Sequence, residues 1–392
     1  MIYFDSAATT FQKPASVSDA VRKALHELAS PGRGGYPEAL RAAETAFSCR
    51  EEIAALFRVP DPERVVFTLN ATHALNLAIK SLVPHGGRAV ISGYEHNAVT
   101  RPLTALRAEI GVADAPLFQE AATMAAFDRL VTPDTDAVIC NHVSNAFGYI
   151  QPVEWLAELC RKRGVPLILD LSQSAGVIDL DLSKLRPAFA AMPGHKGLYG
   201  PQGTGVLICG EGVETRPLLE GGTGSESISQ EMPAFLPDRL ESGTHNTPGI
   251  AGLLEGVRFV RRNGPEAICG AERRLAMLAA DGLREIPDMR VFARPGCGDQ
   301  SAVLSFLPPS GDAERFGEAL GERGIAVRAG LHCAPLAHRT AGTLQTGTVR
   351  VSFSAFNTPE EVRRFLEIVR EILRERPEFR RETSRVGRAI SP

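Results

Sequence analysis

Between residues 64 and 210, short apolar runs alternate with stretches in which apolar residues recur every three or four positions. The runs are RVVFT (64–68), RAVIS (88–92), DAVICN (136–141), PLILD (166–170), AFAAM (188–192) and GVLICG (205–210). Each predicts a strand. Helical periodicity fills 73–83, 97–109 and 152–163. Runs of four to six apolar residues without polar alternation belong to strands buried on both faces. The pattern therefore predicts an α/β fold, a mostly parallel sheet covered by helices. Ligands of such sheets sit at the carboxyl ends of the strands.

Past residue 250 the pattern changes. Two long helical stretches (249–262 and 265–285) precede runs at 289–293, 301–306, 325–329 and 348–353, with helical segments at 312–322 and 359–374 between and after them. These predict a smaller α+β unit. The first dozen residues have no strand partner among the runs of the larger unit and are expected to pack with the smaller one. The division is a large domain over 15–250, a small domain over 251–375 together with 1–14, and an Arg-rich tail over 376–392.

Composition changes this picture little. The chain has 392 residues, 44% hydrophobic and 23% charged, with a net charge of -3. That is ordinary globular composition and asks for no nucleic acid and no anionic membrane. No apolar run reaches the roughly 18 residues of a membrane helix. MIYFDSAATT has neither a basic n-region nor an apolar h-region, so a cytoplasmic protein is expected. The seven cysteines are scattered without a CxxC pair, which argues against zinc and against a disulfide framework.

The chemistry concentrates in PGHKGLYGPQG (193–203), where Lys196 follows His195 among four glycines. The stretch fails the P-loop pattern, because Gly194 does not directly precede Lys196, Gly197 follows it and position 189, five before Gly194, is Phe. A reactive amine is the other reading, and pyridoxal phosphate is its natural electrophile. That cofactor needs an acid for its ring nitrogen, a phosphate cradle and a group over the ring face. Asp170, at the end of PLILD, is the candidate acid, with a turn or cap carboxylate as the plainer reading. Thr72, in the strand–turn–helix stretch FTLNATHALN, is the candidate cradle, or simply a helix cap. His96 of YEHNAV is the candidate ring partner, or a loop histidine. The four fall at strand ends on one edge of one sheet, in an order one cofactor can join.

A second cluster is C-terminal. RAGLHCAP (328–335) sets Cys333 beside His332 with Arg328 near, a setting expected to favour the thiolate. The other cysteines, such as Cys140 and Cys209, fall in apolar runs and read as core. Arg350 lies inside the apolar run TVRVSF and needs an anionic partner. A substrate carboxylate and a buried structural ion pair are both open.

With these motifs in place, the chain resembles the class V aminotransferases of pyridoxal-phosphate fold type I, and within them the group II cysteine desulfurases, which include selenocysteine lyase-like members. FDSAATT, FTLNATHALN, EHNAV, HVSNAFG, DLSQSAG, GHKGLYGPQG, ESGTHNT, RAGLHCAP and VRVSFSAFNT carry the resemblance in order, over nearly the whole chain. It implies Lys196 as the lysine that bonds the cofactor and later moves the substrate α-proton. Asp170 pairs the ring nitrogen, Gln173 the ring oxygen, and His96 stacks on the ring. Ala71, Thr72 and His195 fall at the phosphate, Asn145 contacts cofactor or substrate, and Thr244 reaches a partner subunit's site in a homodimer. Arg350, with Arg328 and Asn145 near, binds the substrate carboxylate. Cys333 takes the sulfur of L-cysteine, or the selenium of L-selenocysteine, as a persulfide-type adduct and passes it to an acceptor protein or small thiol. Destinations implied are iron–sulfur cluster assembly, thiolated tRNA or another cofactor. C–S lyases and transaminases on the same scaffold are the alternatives, and they do not need Cys333. The chain departs from the family pattern at Pro193, which lacks a hydroxyl and an N–H, and at Ala71, His73 and Leu331.

Overall fold

The structure, a computed structural model, describes residues 1–31, 34–294, 296 and 298–380. In chain order the elements begin with β1 (Ile2–Tyr3), α1 (Ala15–Glu27), α2 (Pro37–Phe57), β2 (Val65–Thr68), α3 (Ala71–Leu82), β3 (Arg88–Ser92) and α4 (Asn97–Ala105). Next come β4 (Glu109–Ala113), α5 (Glu120–Leu130), β5 (Ala137–Asn141), α6 (Val153–Arg163), β6 (Leu167–Asp170), α7 (Leu182–Leu185), β7 (Phe189–Pro193) and β8 (Gly205–Cys209). Then follow α8 (Thr247–Asn263), α9 (Pro265–Arg284), β9 (Arg290–Phe292), β10 (Val303–Leu307) and α10 (Ala313–Glu322). The last are β11 (Ile325–Ala326), β12 (Arg328–Gly330), α11 (Pro335–Thr340), β13 (Thr348–Ser352) and α12 (Pro359–Glu375).

Seven strands form one sheet in the order β2-β8-β7-β6-β5-β3-β4. The five from β7 to β4 pair in parallel, while β8 runs antiparallel to both β2 and β7. Two reversals cancel, so β2 points the same way as β7. The carboxyl ends of β2, β3, β5, β6 and β7 therefore share one edge. Every residue of β2, β5, β6, β7 and β8 is buried, as unalternating apolar runs require.

Several elements differ from the sequence reading. The helix expected over 97–109 stops at Ala105, Arg107 takes a left-handed turn (φ 53°), and Glu109–Ala113 joins the sheet beside β3. Its short run, EIGVA, holds Glu109 and Gly111 at a half-exposed sheet edge, which hid the strand. Helix α8 packs on α1 and α2 and gives Ile250, Leu253, Val257 and Val260 to the larger core.

The smaller sheet runs β12-β13-β10-β9, all antiparallel. The single strand expected over 325–329 is two. Ile325–Ala326 pairs in parallel with β1, and Arg328–Gly330 pairs with β13. The N-terminal segment thus joins the smaller unit, and Asp5 adds a bridge to Ser352. Helix α12 begins at a capping box of Thr358 and Glu361 and lays Val362, Phe365, Leu366, Val369 and Ile372 on that unit's core. Phe379 packs on Phe316, with ring centroids 5.1 Å apart. The rest of the Arg-rich tail, like Cys297, lies outside the described residues. Among the described residues no helix is long and apolar enough to cross a membrane.

Candidate active site

Asp170 ends β6 and is buried, 4% exposed. Its Oδ1 accepts from the Ser172 N–H at 2.8 Å and from the Ser172 hydroxyl. Lys196 follows the end of β7 in the next loop but one strand across. One cavity at this edge is walled by Asp170, Lys196, His195 and Gln173, and also by Ala71, Thr72, His96 and Asn145. Eight residues singled out from sequence thus meet in one place. Burial pushes the Lys196 amine down to about 8, with Asp170 opposing and the Arg350 and Arg328 guanidinium groups adding to the fall.

The glycines around Lys196 serve close packing of the chain on itself. A Cβ on Gly194 would stand 2.1 Å from Thr204 Oγ1, and one on Gly197 would stand 2.4 Å from the Ala175 carbonyl oxygen. Gly203 alone of the four takes a positive φ, 76°.

His96 caps α4, its Nδ1 accepting from the Ala98 N–H at 3.0 Å. The ring proton of the neutral imidazole therefore sits on Nε2. Burial lowers its pKa, Asp170 opposes, and Lys196, Arg328 and Arg101 lower it further. His195 Nδ1 lies 3.0 Å from Thr9 Oγ1. Burial, with Lys196 and Lys13 beside it, pushes His195 down to about 4, so it is neutral at pH 7. The Gln173 amide donates to the Ala7 carbonyl at 3.0 Å and keeps a second N–H.

The start of α3 is a phosphate cradle by its donors. Asn70 Oδ1 accepts from the His73 N–H at 2.9 Å and the Asn70 carbonyl from the Ala74 N–H. The Ala71 and Thr72 N–H groups are left without a partner among the described residues, at the positive end of the helix dipole. With His195, they can hold a phosphate that lacks a donor from Pro193. The residues present therefore fit pyridoxal phosphate. An amine, an acid and an anion-binding helix start all line the one cavity. Thr244 does not line this cavity. It is exposed, in a separate depression with His73, Leu69 and Gly203.

The smaller sheet carries the two arginines singled out from sequence. Arg350 is buried in the middle of β13, with Arg328 directly across on β12. Arg350 Nη2 donates to Asp5 Oδ1 at 2.7 Å and Nη1 to the Asn145 carbonyl at 2.9 Å. Asp5, Ala7 and Thr9 all belong to the quoted FDSAATT motif, yet their partners lie 166 to 345 residues away. That separation is why sequence reasoning missed their roles. An acid directly after a strand was the one local signal.

Cys333 is exposed, whereas Cys49, Cys140, Cys160 and Cys209 are buried. Burial pushes Cys160 and Cys209 up to about 12 and Cys140 well above its ordinary value. Arg328 Nη2 donates toward Cys333 Sγ at 3.6 Å. His332 does not play the part expected of it. His332 and Cys333 both take left-handed backbone (φ 51° and 56°), which sends the imidazole inward and leaves the thiol outside. The imidazole is buried, with Nε2 3.0 Å from Thr348 Oγ1. Burial and the nearby Arg350, His338 and Arg328 hold its pKa well below the ordinary value, so it is neutral. Arg328 is the cation beside the thiol.

Over residues 2–365 the chain matches the Aminotransferase class-V family, and it belongs to that family. Enzymes of this family depend on pyridoxal phosphate. Within it, the chain is similar to cysteine desulfurases. A probable cysteine desulfurase of Mycolicibacterium paratuberculosis is 35% identical over 95% of this chain and 55% of the relative. The cysteine desulfurase of Synechococcus elongatus is 33% identical over 95% of this chain and 60% of the relative. The chain thus spans little more than half the length of these two. A probable cysteine desulfurase of Pyrococcus abyssi is 30% identical over 95% of this chain and 94% of the relative. Among solved structures, the apo cysteine desulfurase of Thermococcus onnurineus NA1 superposes with a TM-score of 0.89 at 30% identity, covering 95% of both chains. The cysteine desulfurase CsdA of Escherichia coli, solved as its S-sulfonic acid, gives 0.84 at 28% identity over 95% of this chain and 94% of that one.

Proposed function

We propose that this chain is a cysteine desulfurase. It removes sulfur from L-cysteine, releases L-alanine and carries the sulfur on Cys333. The observation that carries the proposal is one exposed thiol among the described residues, with Arg328 at its sulfur, on a turn bonded to the Lys196 cavity. Asn145, which lines that cavity, donates to the His332 carbonyl, and the Asn97 N–H, next to His96, donates to the Cys333 carbonyl. Lyases and transaminases have no use for that thiol.

Pyridoxal phosphate, when bound, supplies the aldehyde that takes up the substrate amino group and a ring that draws electrons from its Cα. Ala71, Thr72 and His195 would hold its phosphate, Asp170 its ring nitrogen and Gln173 its ring oxygen. Arg350, with Asn145 beside it, binds the substrate carboxylate. Lys196 Nζ, its basicity lowered to about 8 by burial, can both accept the α-proton and give it back near neutral pH. His96 covers the ring face with its proton on Nε2. The Cys333 thiolate attacks the substrate sulfur. An S–S bond forms, the C–S bond breaks, and its electron pair stays with the carbon skeleton. The substrate's thiol proton balances the methyl group of the L-alanine that leaves.

The proposal extends to a large domain over 15–250, a small one over 251–375 with 1–14, and a cytoplasmic homodimer. The distance of the exposed Thr244 from its own cavity supports a role in a partner's site. Sulfur then goes to an acceptor thiol, protein or small molecule, with iron–sulfur cluster assembly as the destination. L-selenocysteine is the second substrate of the same site.

Intact-protein mass after mixing the holoenzyme with L-cysteine, without reductant, tests the reading. A gain of one sulfur or more mapped to Cys333, with L-alanine released, is expected. A Cys333→Ala variant that makes L-alanine at the parent rate overturns it.

A further inference from the structure

Arg350 keeps a resident anion. Five N–H protons radiate from a guanidinium, and two are used here, by Asp5 Oδ1 and by the Asn145 carbonyl. Nε is buried and has no partner among the described residues, and neither has Asn145 Oδ1. Three N–H protons thus remain, enough for a second, bidentate carboxylate. The guanidinium is 2% exposed, while the Asp5 side chain is 20% exposed. Asp5 is also fixed in place. Its carbonyl accepts from the Ala8 N–H at 3.0 Å, and its backbone bridges Ser352, two residues beyond Arg350. An incoming α-carboxylate therefore finds the guanidinium already shared with a carboxylate whose backbone is held in place.

We propose that Asp5 is a positioning residue and resident counter-ion: it orients Arg350 and limits how tightly Arg350 grips the α-carboxylate of substrate and product. The inference rests on the desulfurase reading, in which L-cysteine and L-alanine carry the same α-carboxylate. A grip equal in both lowers KM, does nothing for the chemical step and slows product release. Asp5 opposes that grip by like-charge repulsion across one guanidinium. It also keeps Arg350 from standing as an unpaired buried charge while the site is empty.

Asp5→Asn separates this from simple tethering of the N-terminal segment. The amide oxygen still accepts from Arg350, and the charge is gone. L-alanine is the probe, titrated into the holoenzyme and followed by cofactor absorbance and by inhibition of L-cysteine turnover. Asp5→Asn is expected to bind L-alanine about tenfold more tightly, with KM for L-cysteine and kcat both lowered. Asp5→Glu, which restores the charge, is expected to return to within about threefold of the parent. A structural tether alone predicts equal or weaker binding in Asp5→Asn, and that result overturns the proposal. Release of L-alanine from L-cysteine by the parent, scored separately, judges the desulfurase reading. A parent that makes no L-alanine fails that reading, whatever Asp5→Asn does to L-alanine affinity.

Discussion

Gly197 lies against the carbonyl of Ala175 so closely that a Cβ would stand 2.4 Å from the oxygen. The approach is reciprocal, since a Cβ on Gly176 would stand 2.3 Å from the Gly197 oxygen. Two loops, one following Asp170 and one carrying Lys196, therefore touch backbone to backbone, and that contact sets the lysine against the acid. Gly197→Ala should cost about 3 kcal/mol of stability, because backbone atoms cannot rotate out of the way. Urea unfolding of the cofactor-free protein measures it. The loaded variant should also lose pyridoxal phosphate faster on dialysis. Parent-like stability would mean that the two loops part easily.

The lowered Lys196 basicity gives a pH signature. A lysine at its ordinary value of 10.5 is almost wholly protonated at pH 8, whereas this one is half neutral there. Bond formation with the cofactor aldehyde needs the neutral amine. The rate at which cofactor-free protein takes up pyridoxal phosphate should rise with pH through a midpoint near 8. Asp170→Asn removes an attraction that favours the ammonium, so its midpoint should move lower. Stopped-flow absorbance reads both, and a parent midpoint near 10 would contradict the assignment.

Acid should unfold the protein from the histidine side. His142 and His338 are buried and pushed down to about 4 by burial, from an ordinary value of 6.5. An unfolded chain binds those protons below 6.5 and the folded one does not until about 4. The contribution of these two imidazoles is therefore full above pH 6.5 and falls between 6.5 and 4, by up to about 3 kcal/mol each. Urea midpoints at pH 7, 6 and 5 should fall in that order. His338→Asn should flatten the slope if the fold tolerates it, and a parent slope of zero would show that both imidazoles open to water.

Arg50 and Glu241 form a buried two-pronged ion pair, 2.8 and 2.6 Å, beneath the segment that carries Thr244. Glu241 also accepts from the Phe67 N–H at 2.5 Å and lies 3.1 Å from His245 Nε2. Removing the acid leaves a guanidinium unpaired in the interior. Glu241→Ala should lose about 3–5 kcal/mol of stability. If Thr244 serves a neighbouring subunit, the variant should also dissociate at higher concentrations than the parent, which sedimentation velocity can follow.

Much of this was legible along the chain. The six apolar runs of the large sheet were visible because burial on both faces leaves no polar alternation. The cofactor wall was visible because Thr72, His96, Asp170 and Lys196 each follow such a run, and parallel strands bring those ends together. The pairing of Asp5 with Arg350 was not. The need of Arg350 for an anion was visible, but the acid that meets it lies 345 residues away. Strand β4, EIGVA, is a short half-exposed run at a sheet edge, broken by Gly111 and directly after a helical stretch, so no buried run marks it. Adjacency in sequence does not make the His332 and Cys333 side chains neighbours, because both residues take left-handed backbone and the imidazole turns inward while the thiol stays exposed.

The turn that carries Cys333 is clipped at two carbonyls, to the start of α4 and to the loop after β5. The Asn97 N–H donates to the Cys333 carbonyl at 2.9 Å, and Asn145 Nδ2 donates to the His332 carbonyl at 2.7 Å. Each such bond is worth about 1 kcal/mol net, so release of the turn costs about 2 kcal/mol. At that cost roughly 3% of molecules hold the turn free at any instant. An acceptor thiol then need not pry the enzyme open; it has only to arrive often enough to meet the minority whose turn is already free.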